Sequence, residues 1–162
     1  EPLIISRSLQ DELDGNLLLF YTGLTHSAGE ILKEQSANVS TEEEKFRALI
    51  RMTDLAWEMR EALAKENLDR FGEILNENWV LKKSLSRRIS NATVEKYYQI
   101  ALESGALGGK LLGAGGGGFL LFYCPKEKQS RLRSALSQLV ELPFSIEQSG
   151  TKVIYVGEKN WD

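Results

Sequence analysis

The chain has 162 residues, of which 42% are hydrophobic and 27% are charged, and this composition is typical of one soluble globular domain. Its formal net charge of -3 argues against a nucleic acid or an anionic membrane as the main partner. The single cysteine, Cys124, excludes an internal disulfide and favours a reducing compartment, so we expect a cytoplasmic protein. No stretch approaches the roughly 20 apolar residues that a membrane span needs.

The first part of the chain predicts a pair of strands followed by a short helix. Residues 3–5 and 16–23 are apolar runs typical of strands, and Asp14-Gly15 is a turn pair between them. Residues 25–35 carry apolar side chains at helical spacing and predict a short helix.

Three longer helices are predicted next. The first begins at Ser40 or Thr41, because Glu43 or Glu44 stands three residues later, as a capping box requires. The others cover about 68–85 and 91–103. The apolar positions that we expect to face the core of the first two helices include Phe46, Leu49, Ile50, Leu68, Phe71, Ile74 and Leu75, together with Trp57 and Trp79.

The last part of the chain predicts a strand, a helix and two further strands. Residues 119–124 form an apolar run that ends at a proline, and it predicts a buried strand containing a buried Cys124. An amphipathic helix is predicted over 126–139, with short strands at 144–147 and 153–156. This order of elements predicts an α+β domain with a mostly antiparallel sheet.

The segment 105–118, GALGGKLLGAGGGG, contains eight glycines and one lysine. Glycine loses more conformational freedom on folding than any other residue, so eight of them need a reason. One or two glycines would suffice for a turn, with Gly105 placed to end the preceding helix, and a flexible linker would not lie between a helix and a buried strand. The pattern therefore predicts a loop whose backbone closely approaches a phosphate or another main chain. Lys110 would add positive charge there, and a solvated or structural lysine is the alternative interpretation.

This loop matches neither of the common phosphate-binding patterns. No G-x-x-x-x-G-K-[ST] motif is present, and a Rossmann loop would follow a strand and precede a helix, which is the opposite order. However, GGKLLGAGGGGFLLFY resembles the third conserved motif of the GHMP kinases, the family of galactokinase, homoserine kinase and mevalonate kinase. NENWVLKKSLSRRIS (76–90) and YTGLTHSAGEIL (21–32) extend the resemblance to the sugar-1-kinase branch, over about 3–156.

The resemblance implies that residues 1–162 form the C-terminal domain of such a kinase, a ferredoxin-like α+β sandwich with several helices. In the family, an N-terminal domain carries a P-x-G-x-G-L-G-S-S-A loop that wraps the phosphates of ATP. Nothing like that loop occurs in this sequence, so the N-terminal domain would lie outside it. This chain would then contain no catalytic residue and no metal ligand, and it would be inactive by itself.

The activity implied is transfer of the γ-phosphoryl group of ATP, with Mg²⁺, to the anomeric hydroxyl of a sugar, with D-glycero-D-manno-heptose 7-phosphate as the expected acceptor. The N-terminal domain would bind most of the ATP and Mg²⁺. By resemblance, this chain would contribute one wall of the pocket for the ATP phosphates and the acceptor. The residues expected to form that wall are Gly109, Lys110, Gly113, Ala114, Gly115, Gly116, Gly117 and Gly118.

Six polar residues are candidates for binding the acceptor, because cations would hold its phosphate and polar residues at strand ends often meet ligands. They are Thr22, Thr25, His26, Lys82, Lys83 and Arg87. For the basic run, a solvated helix end is the alternative interpretation. An arginine is common in the family at the position of His26, so the sequence departs from the pattern there.

Two other functions stay open at this point. The chain could belong to a kinase of the same family with a fucose-type, galactose-type or other small acceptor, or it could be a non-catalytic ferredoxin-like binding module. The expected partners are a sugar phosphate and the N-terminal domain of the same protein, not a nucleic acid or a membrane. Removal of that domain would expose an apolar face, through which the fragment could self-associate.

Overall fold

A computed structural model describes residues 3–24, 28–147 and 153 of the chain. In chain order the elements are α1 (Arg7–Asn16), β1 (Leu17–Tyr21), α2 (Ala28–Thr41), α3 (Glu43–Ala64), α4 (Leu68–Ser84), α5 (Ala92–Glu103), β2 (Gly108–Leu111), β3 (Phe119–Tyr123), a 3₁₀ turn (Lys126–Lys128), α6 (Gln129–Ala135) and β4 (Val140–Leu142).

The strands of the described residues form one antiparallel sheet in the order β2-β3-β1-β4. Helices α2 to α5 connect β1 to β2, β2 and β3 form a hairpin, and α6 connects β3 to β4. After α1, this is the β-α-β-β-α-β order of the ferredoxin-like arrangement, with extra helices in the first connection. The predicted α+β class with an antiparallel sheet is confirmed.

Apolar side chains pack on both faces of the sheet, because successive residues of a strand point to opposite sides. Phe20 and Phe122 belong to a cluster that includes the fully buried Trp79, and Cys124 is buried in the same cluster. Leu17 and Tyr123 belong to a second cluster, built mainly with α1 and α4. The predictions that Trp79 and Cys124 are core residues are confirmed.

Helix α4 lies directly against the edge strand β2, and glycines make this contact possible. A Cβ atom on Gly108 would lie 2.0 Å from the carbonyl oxygen of Gly72. The hydroxyl of Tyr98 donates to the carbonyl oxygen of Gly109 at 3.0 Å or to Oδ1 of Asn76 at 2.9 Å, and it accepts from the Gly109 amide at 3.1 Å. This hydroxyl therefore satisfies the outward backbone groups of an edge strand and fixes the strand that leads into the glycine-rich loop.

The prediction of a strand at residues 3–5 and a turn at Asp14-Gly15 is wrong. Helix α1 includes both turn residues, and Ser6 caps it by accepting a hydrogen bond from the Leu9 amide. Leu9 and Leu13 lie one turn apart and are both buried, so tertiary packing of this helical face outweighs the local turn signal.

The boundary between α2 and α3 also differs from the prediction. Helix α2 continues to Thr41, and α3 begins at Glu43 after Glu42, whose side chain makes no capping hydrogen bond. The predicted cap at Ser40 or Thr41 is therefore wrong. Four residues of α3 that were predicted to face the core are exposed instead, so these predictions are also wrong: Phe46 (51%), Leu49 (38%), Ile50 (49%) and Trp57 (62%).

Further differences lie near the end of the chain. Helix α6 covers only Gln129–Ala135, β4 lies at Val140–Leu142, and residues 143–147 form no regular strand. The strand predicted over 153–156 lies outside the described residues, apart from Val153, which is in no regular element. Strand β2 was not predicted at all, because Gly-Gly-Lys-Leu has little intrinsic preference for a strand.

Candidate functional site

The second half of the glycine-rich segment, residues 112–118, forms the hairpin loop between β2 and β3. Pairing of the two strands extends into the loop, because the Leu112 amide donates to the Phe119 carbonyl oxygen at 2.8 Å. Gly113, Gly115, Gly116 and Gly118 all have positive φ, at 86°, 128°, 76° and 99°. Side chains rarely tolerate such φ values, so the conformation itself requires glycine at several positions.

The turn between α4 and α5 holds one side of the loop. The Gly116 amide donates to the carbonyl oxygen of Ile89 at 2.8 Å, and Nδ2 of Asn91 donates to the Gly116 carbonyl oxygen at 2.8 Å. Nζ of Lys82 donates to the Gly113 carbonyl oxygen at 2.6 Å. Asn91 also caps α5 through Oδ1, which accepts from the amides of Thr93 and Val94, so one side chain ties the loop to a helix start.

The end of β1 holds the other side of the loop. The Thr22 amide and hydroxyl both donate to the carbonyl oxygen of Gly118, at 2.8 and 2.9 Å. The Gly118 amide donates to the carbonyl oxygen of Leu24 at 2.9 Å and to the Thr22 hydroxyl at 3.1 Å. The same hydroxyl accepts from the Leu24 amide at 3.3 Å. These bonds occupy the hydroxyl of Thr22 and give it a structural role, whereas its predicted contact with an acceptor stays a prediction.

Main chain packs closely on main chain at Gly115. A Cβ atom there would lie 2.7 Å from Cα of Ile89 and 2.8 Å from its carbonyl oxygen. At Gly113 and Gly118, a Cβ atom would meet nothing within 4 Å. Glycine therefore serves two purposes in the loop: close approach at Gly115, and backbone conformation alone at Gly113 and Gly118.

Several amides of the clamped loop have no acceptor. Within residues 3–24 and 28–147, the amides of Gly113, Ala114, Gly115 and Gly117 donate no hydrogen bond. Gly113 is exposed, Ala114 and Gly117 are partly exposed, and Gly115 is buried, so three of these amides are open to a ligand. A held backbone with unused donors can bind an anion without first paying the entropy of ordering.

Two lysines lie beside these amides. Lys82 contacts the loop directly, and its pKa is lowered first by burial and then by the charge of Lys110. Lys110 lies in β2, two residues before the loop begins. The charge of Lys110 disfavours the charged form of Lys82, and an anion bound beside Lys82 would relieve that repulsion. The structure thus brings Lys82 and Lys110, both sequence candidates, to the glycine-rich loop.

The remaining cationic candidates lie elsewhere. Nζ of Lys83 is 2.7 Å from a carboxylate oxygen of Glu95 and lies over the ring of Trp79. Arg87 is exposed and borders a separate groove with Glu34 and Lys83. The structure therefore does not bring Lys83 or Arg87 to the loop, and their predicted contact with an acceptor stays a prediction. Thr25 and His26 lie outside the described residues.

Asn91 is the residue of this site that sequence reasoning missed. An asparagine directly before a helix predicts an N-cap, but its Nδ2 contact with a loop 25 residues away is set by the tertiary fold. None of the described helices is long and apolar enough to cross a membrane. Among the described residues, no three histidine, cysteine, aspartate or glutamate side chains are grouped as metal ligands would be.

The α+β fold with its antiparallel sheet agrees with the family that sequence comparison finds. Residues 59–142 match the model of the family described as GHMP kinases C terminal, and the chain belongs to this family. It is 31% identical over 153 residues, 93% of its length, to the D-glycero-alpha-D-manno-heptose 7-phosphate kinase of Campylobacter jejuni. It is 33% identical over 147 residues, 90% of its length, to the bifunctional fucokinase/GDP-fucose pyrophosphorylase of Arabidopsis thaliana.

The chain spans only part of these relatives, 45% of the first and 14% of the second. Among solved structures, the L. major mevalonate kinase in complex with R-mevalonate is similar with a TM-score of 0.66 and 25% identity. That similarity covers 75% of this chain and 37% of the mevalonate kinase. The two relatives and the mevalonate kinase are all named as kinases, and the matched family is one of kinases.

Proposed function

We propose that this chain is the C-terminal domain of an ATP-dependent sugar kinase and that the loop 112–118 lines the pocket for the phosphates of ATP. The observation that carries the proposal is the set of three free and solvent-accessible amides, those of Gly113, Ala114 and Gly117, in a loop that is clamped from both sides, with Lys82 and Lys110 beside it. Phosphate oxygens are strong acceptors, and backbone amides and ammonium groups are the donors that phosphate sites use.

In this proposal, the loop works by being held in place before the substrates arrive. ATP supplies the transferable phosphoryl group, and catalysis of such a transfer is mostly positioning and neutralisation of charge. The Thr22 and Asn91 contacts fix the loop, so that the free amides need no reorganisation when the negative charge moves. Lys82 and Lys110 neutralise part of that charge.

We propose D-glycero-D-manno-heptose 7-phosphate as the acceptor, phosphorylated at its anomeric hydroxyl. Support comes from a relative with this substrate in its name, which aligns with 93% of the chain. Fucose is the second candidate, because the fucokinase relative is similar at 33% identity. The acceptors differ in charge: only the heptose carries a phosphate before the reaction.

We also propose that the ATP-binding N-terminal domain and the ligands of Mg²⁺ belong to parts of the protein outside this chain, and that the chain alone is inactive. The support is the partial coverage of the relatives, 45% for the heptose 7-phosphate kinase. The loop 112–118 would then form one wall of a pocket completed by that domain. We further propose that the enzyme works in the cytoplasm, where ATP and sugar phosphates are available.

The test is turnover by the full-length protein. ADP release is measured with ATP, Mg²⁺ and each of four acceptors in turn: the heptose 7-phosphate, fucose, galactose and mevalonate. We expect the highest kcat/KM for the heptose 7-phosphate, with a new phosphate at C1 in the ³¹P NMR spectrum. A preference for fucose would change the proposed acceptor but still support the proposed kinase activity. Absence of turnover with all four acceptors would favour the non-catalytic binding module.

A matched pair of variants tests the role of the loop. Lys110→Met should lower kcat/KM roughly 10- to 100-fold, because a hydrogen bond to a charged group is worth about 1.5–3 kcal/mol. Lys65→Met removes the same charge from a lysine on the surface that already pairs with Glu61, and should change kcat/KM by less than about threefold. Equal effects of the two substitutions would contradict the proposed phosphate site.

A further inference from the structure

Helix α3 carries a second apolar stripe that faces solvent, and the proposed kinase reaction does not use it. Phe46, Ile50 and Trp57 are 51%, 49% and 62% exposed. The opposite side of the helix faces the core, where Leu55 is 1% and Ala62 is 5% exposed. A helix that buries one face and keeps large apolar side chains on the other is typical of an interaction surface.

The stripe has the spacing of a coiled-coil seam. Its positions are separated by three, four, three, four and three residues, which is the alternation of a and d positions in successive heptads. We call these six residues the α3 seam. They are Glu43, Phe46, Ile50, Thr53, Trp57 and Arg60.

The α3 seam is complementary to itself when two copies run antiparallel about a two-fold axis. In that register Phe46 meets Trp57 of the second copy, and Ile50 meets Thr53. The ends set opposite charges against each other: Glu43, which pairs with Arg47 within one copy, meets Arg60 of the second copy, which lies over the ring of Trp57. Each contact occurs twice, once on either side of the two-fold axis. The same face of α3 therefore forms both halves of the interface, and no seam residue is left over for a third copy.

The residues beside the seam agree with the same register. Arg47 lies next to Asp54 of the second copy on one flank, and Leu49 lies next to Ala56 on the other. The flanks are thus an opposite-charge pair and an apolar pair, as the borders of an antiparallel coiled coil favour. A parallel pairing would instead set Glu43 against Glu43 and Arg60 against Arg60, which is repulsive at both ends.

We propose that the α3 seam is the interface of a two-fold symmetric homodimer in which the two α3 helices pack antiparallel. The seam spans 18 residues, about 27 Å of helix. One helix pair forms a small interface, so we expect a dissociation constant in the micromolar range rather than an obligate dimer. The aromatic layers, Phe46 against Trp57, supply most of the buried apolar surface.

Analytical ultracentrifugation of the full-length protein from about 1 to 300 µM tests the dimer. Wild-type protein should shift from monomer to dimer over this range, and Ile50→Glu should weaken dimerisation at least tenfold. Val80→Glu is the matched control: Val80 is a 54% exposed apolar residue on α4, outside the seam. Circular dichroism checks that each variant is folded.

Charge reversal tests the antiparallel register. Glu43→Arg and Arg60→Glu should each weaken dimerisation by roughly tenfold, because attraction becomes repulsion at both ends of the seam. An equimolar mixture of these two variants should recover dimers, since every Arg then faces a Glu. The control Glu44→Arg makes the same charge change one residue outside the seam and should leave the dissociation constant within about twofold.

Three results would overturn the proposal. The first is a monomer at every concentration, which would assign the α3 seam to another part of the same protein or to a different partner. The second is a dimer that Ile50→Glu does not weaken. The third is a mixture of Glu43→Arg and Arg60→Glu that dimerises no better than either variant alone.

Discussion

Gly115 makes the sharpest prediction about the loop, because its close approach to Ile89 can be separated from its backbone conformation. In Gly115→Ala, the new Cβ would lie 2.7 Å from Cα of Ile89, and φ is 128°. The conformational penalty is about 1–2 kcal/mol. Displacement of the loop would add about 1–2 kcal/mol through overpacking and the strained hydrogen bond from Gly116 to Ile89. We therefore expect a loss of about 3 kcal/mol.

Gly113→Ala is the matched control. Gly113 also has a positive φ, 86°, but its new Cβ would meet nothing within 4 Å. Only the conformational penalty applies, so we expect a loss of about 1 kcal/mol. Urea denaturation followed by circular dichroism measures both values, and at about 3 °C per kcal/mol the melting temperatures should fall by about 9 °C and about 3 °C. Equal losses for the two variants would refute the close-approach argument.

Three further predictions concern the residues that hold the site. Thr22→Val removes the hydroxyl that bonds both backbone groups of Gly118 and should lower the free energy of unfolding by about 1–3 kcal/mol. Thr22→Ser keeps a hydroxyl and should lower it by less than half as much. Equal losses in urea denaturation would contradict this role of the Thr22 hydroxyl. Tyr98→Phe leaves the outward backbone groups of Gly109 without a partner, so hydrogen exchange of the Gly109 amide should accelerate at least tenfold, and unchanged exchange would contradict this role. Burial raises the pKa of Cys124 from 9.0 to about 11, so the thiol loses its proton at a lower pH in the unfolded chain than in the folded one. The free energy of unfolding should therefore fall by up to about 2 kcal/mol as pH rises from 9 to 11. Cys124→Ala should flatten that part of the profile, and an identical slope in wild type and variant would contradict the assignment.

The sequence predicted the elements whose apolar pattern is local. Helix α4 was predicted at 68–85 and lies at Leu68–Ser84, and helix α5 was predicted at 91–103 and lies at Ala92–Glu103. Strand β3, a continuous apolar run, was also predicted. In these segments, the residues that determine packing are the same residues that set the periodicity.

The sequence failed where distant residues determine the structure. Strand β2 has no intrinsic strand preference and is held by the Tyr98 hydroxyl and by the close contact of α4. Trp57 fits the helical apolar pattern but faces solvent, because α3 carries apolar residues on two faces and periodicity does not say which one is buried.

For the site, the loop itself was predicted from its glycines, but the clamp was not. Thr22 and Gly118 are 96 residues apart, and their hydrogen bonds follow from β1 and β3 being neighbours in the sheet. The sequence also does not show which of the neighbouring lysines, Lys82 or Lys83, contacts the loop. The fold does so, because Lys82 contacts the loop while Lys83 pairs with Glu95.

Amide NMR of the full-length protein during titration with a non-hydrolysable ATP analogue and Mg²⁺ tests the central claim most directly. We expect the largest ¹⁵N–¹H shifts of this chain at Gly113, Ala114 and Gly117, the three free amides that are open to solvent. The Gly116 and Gly118 amides, which already donate within the chain, should shift less. Saturable nucleotide binding that leaves the signals of all three amides unshifted would contradict a phosphate site at this loop.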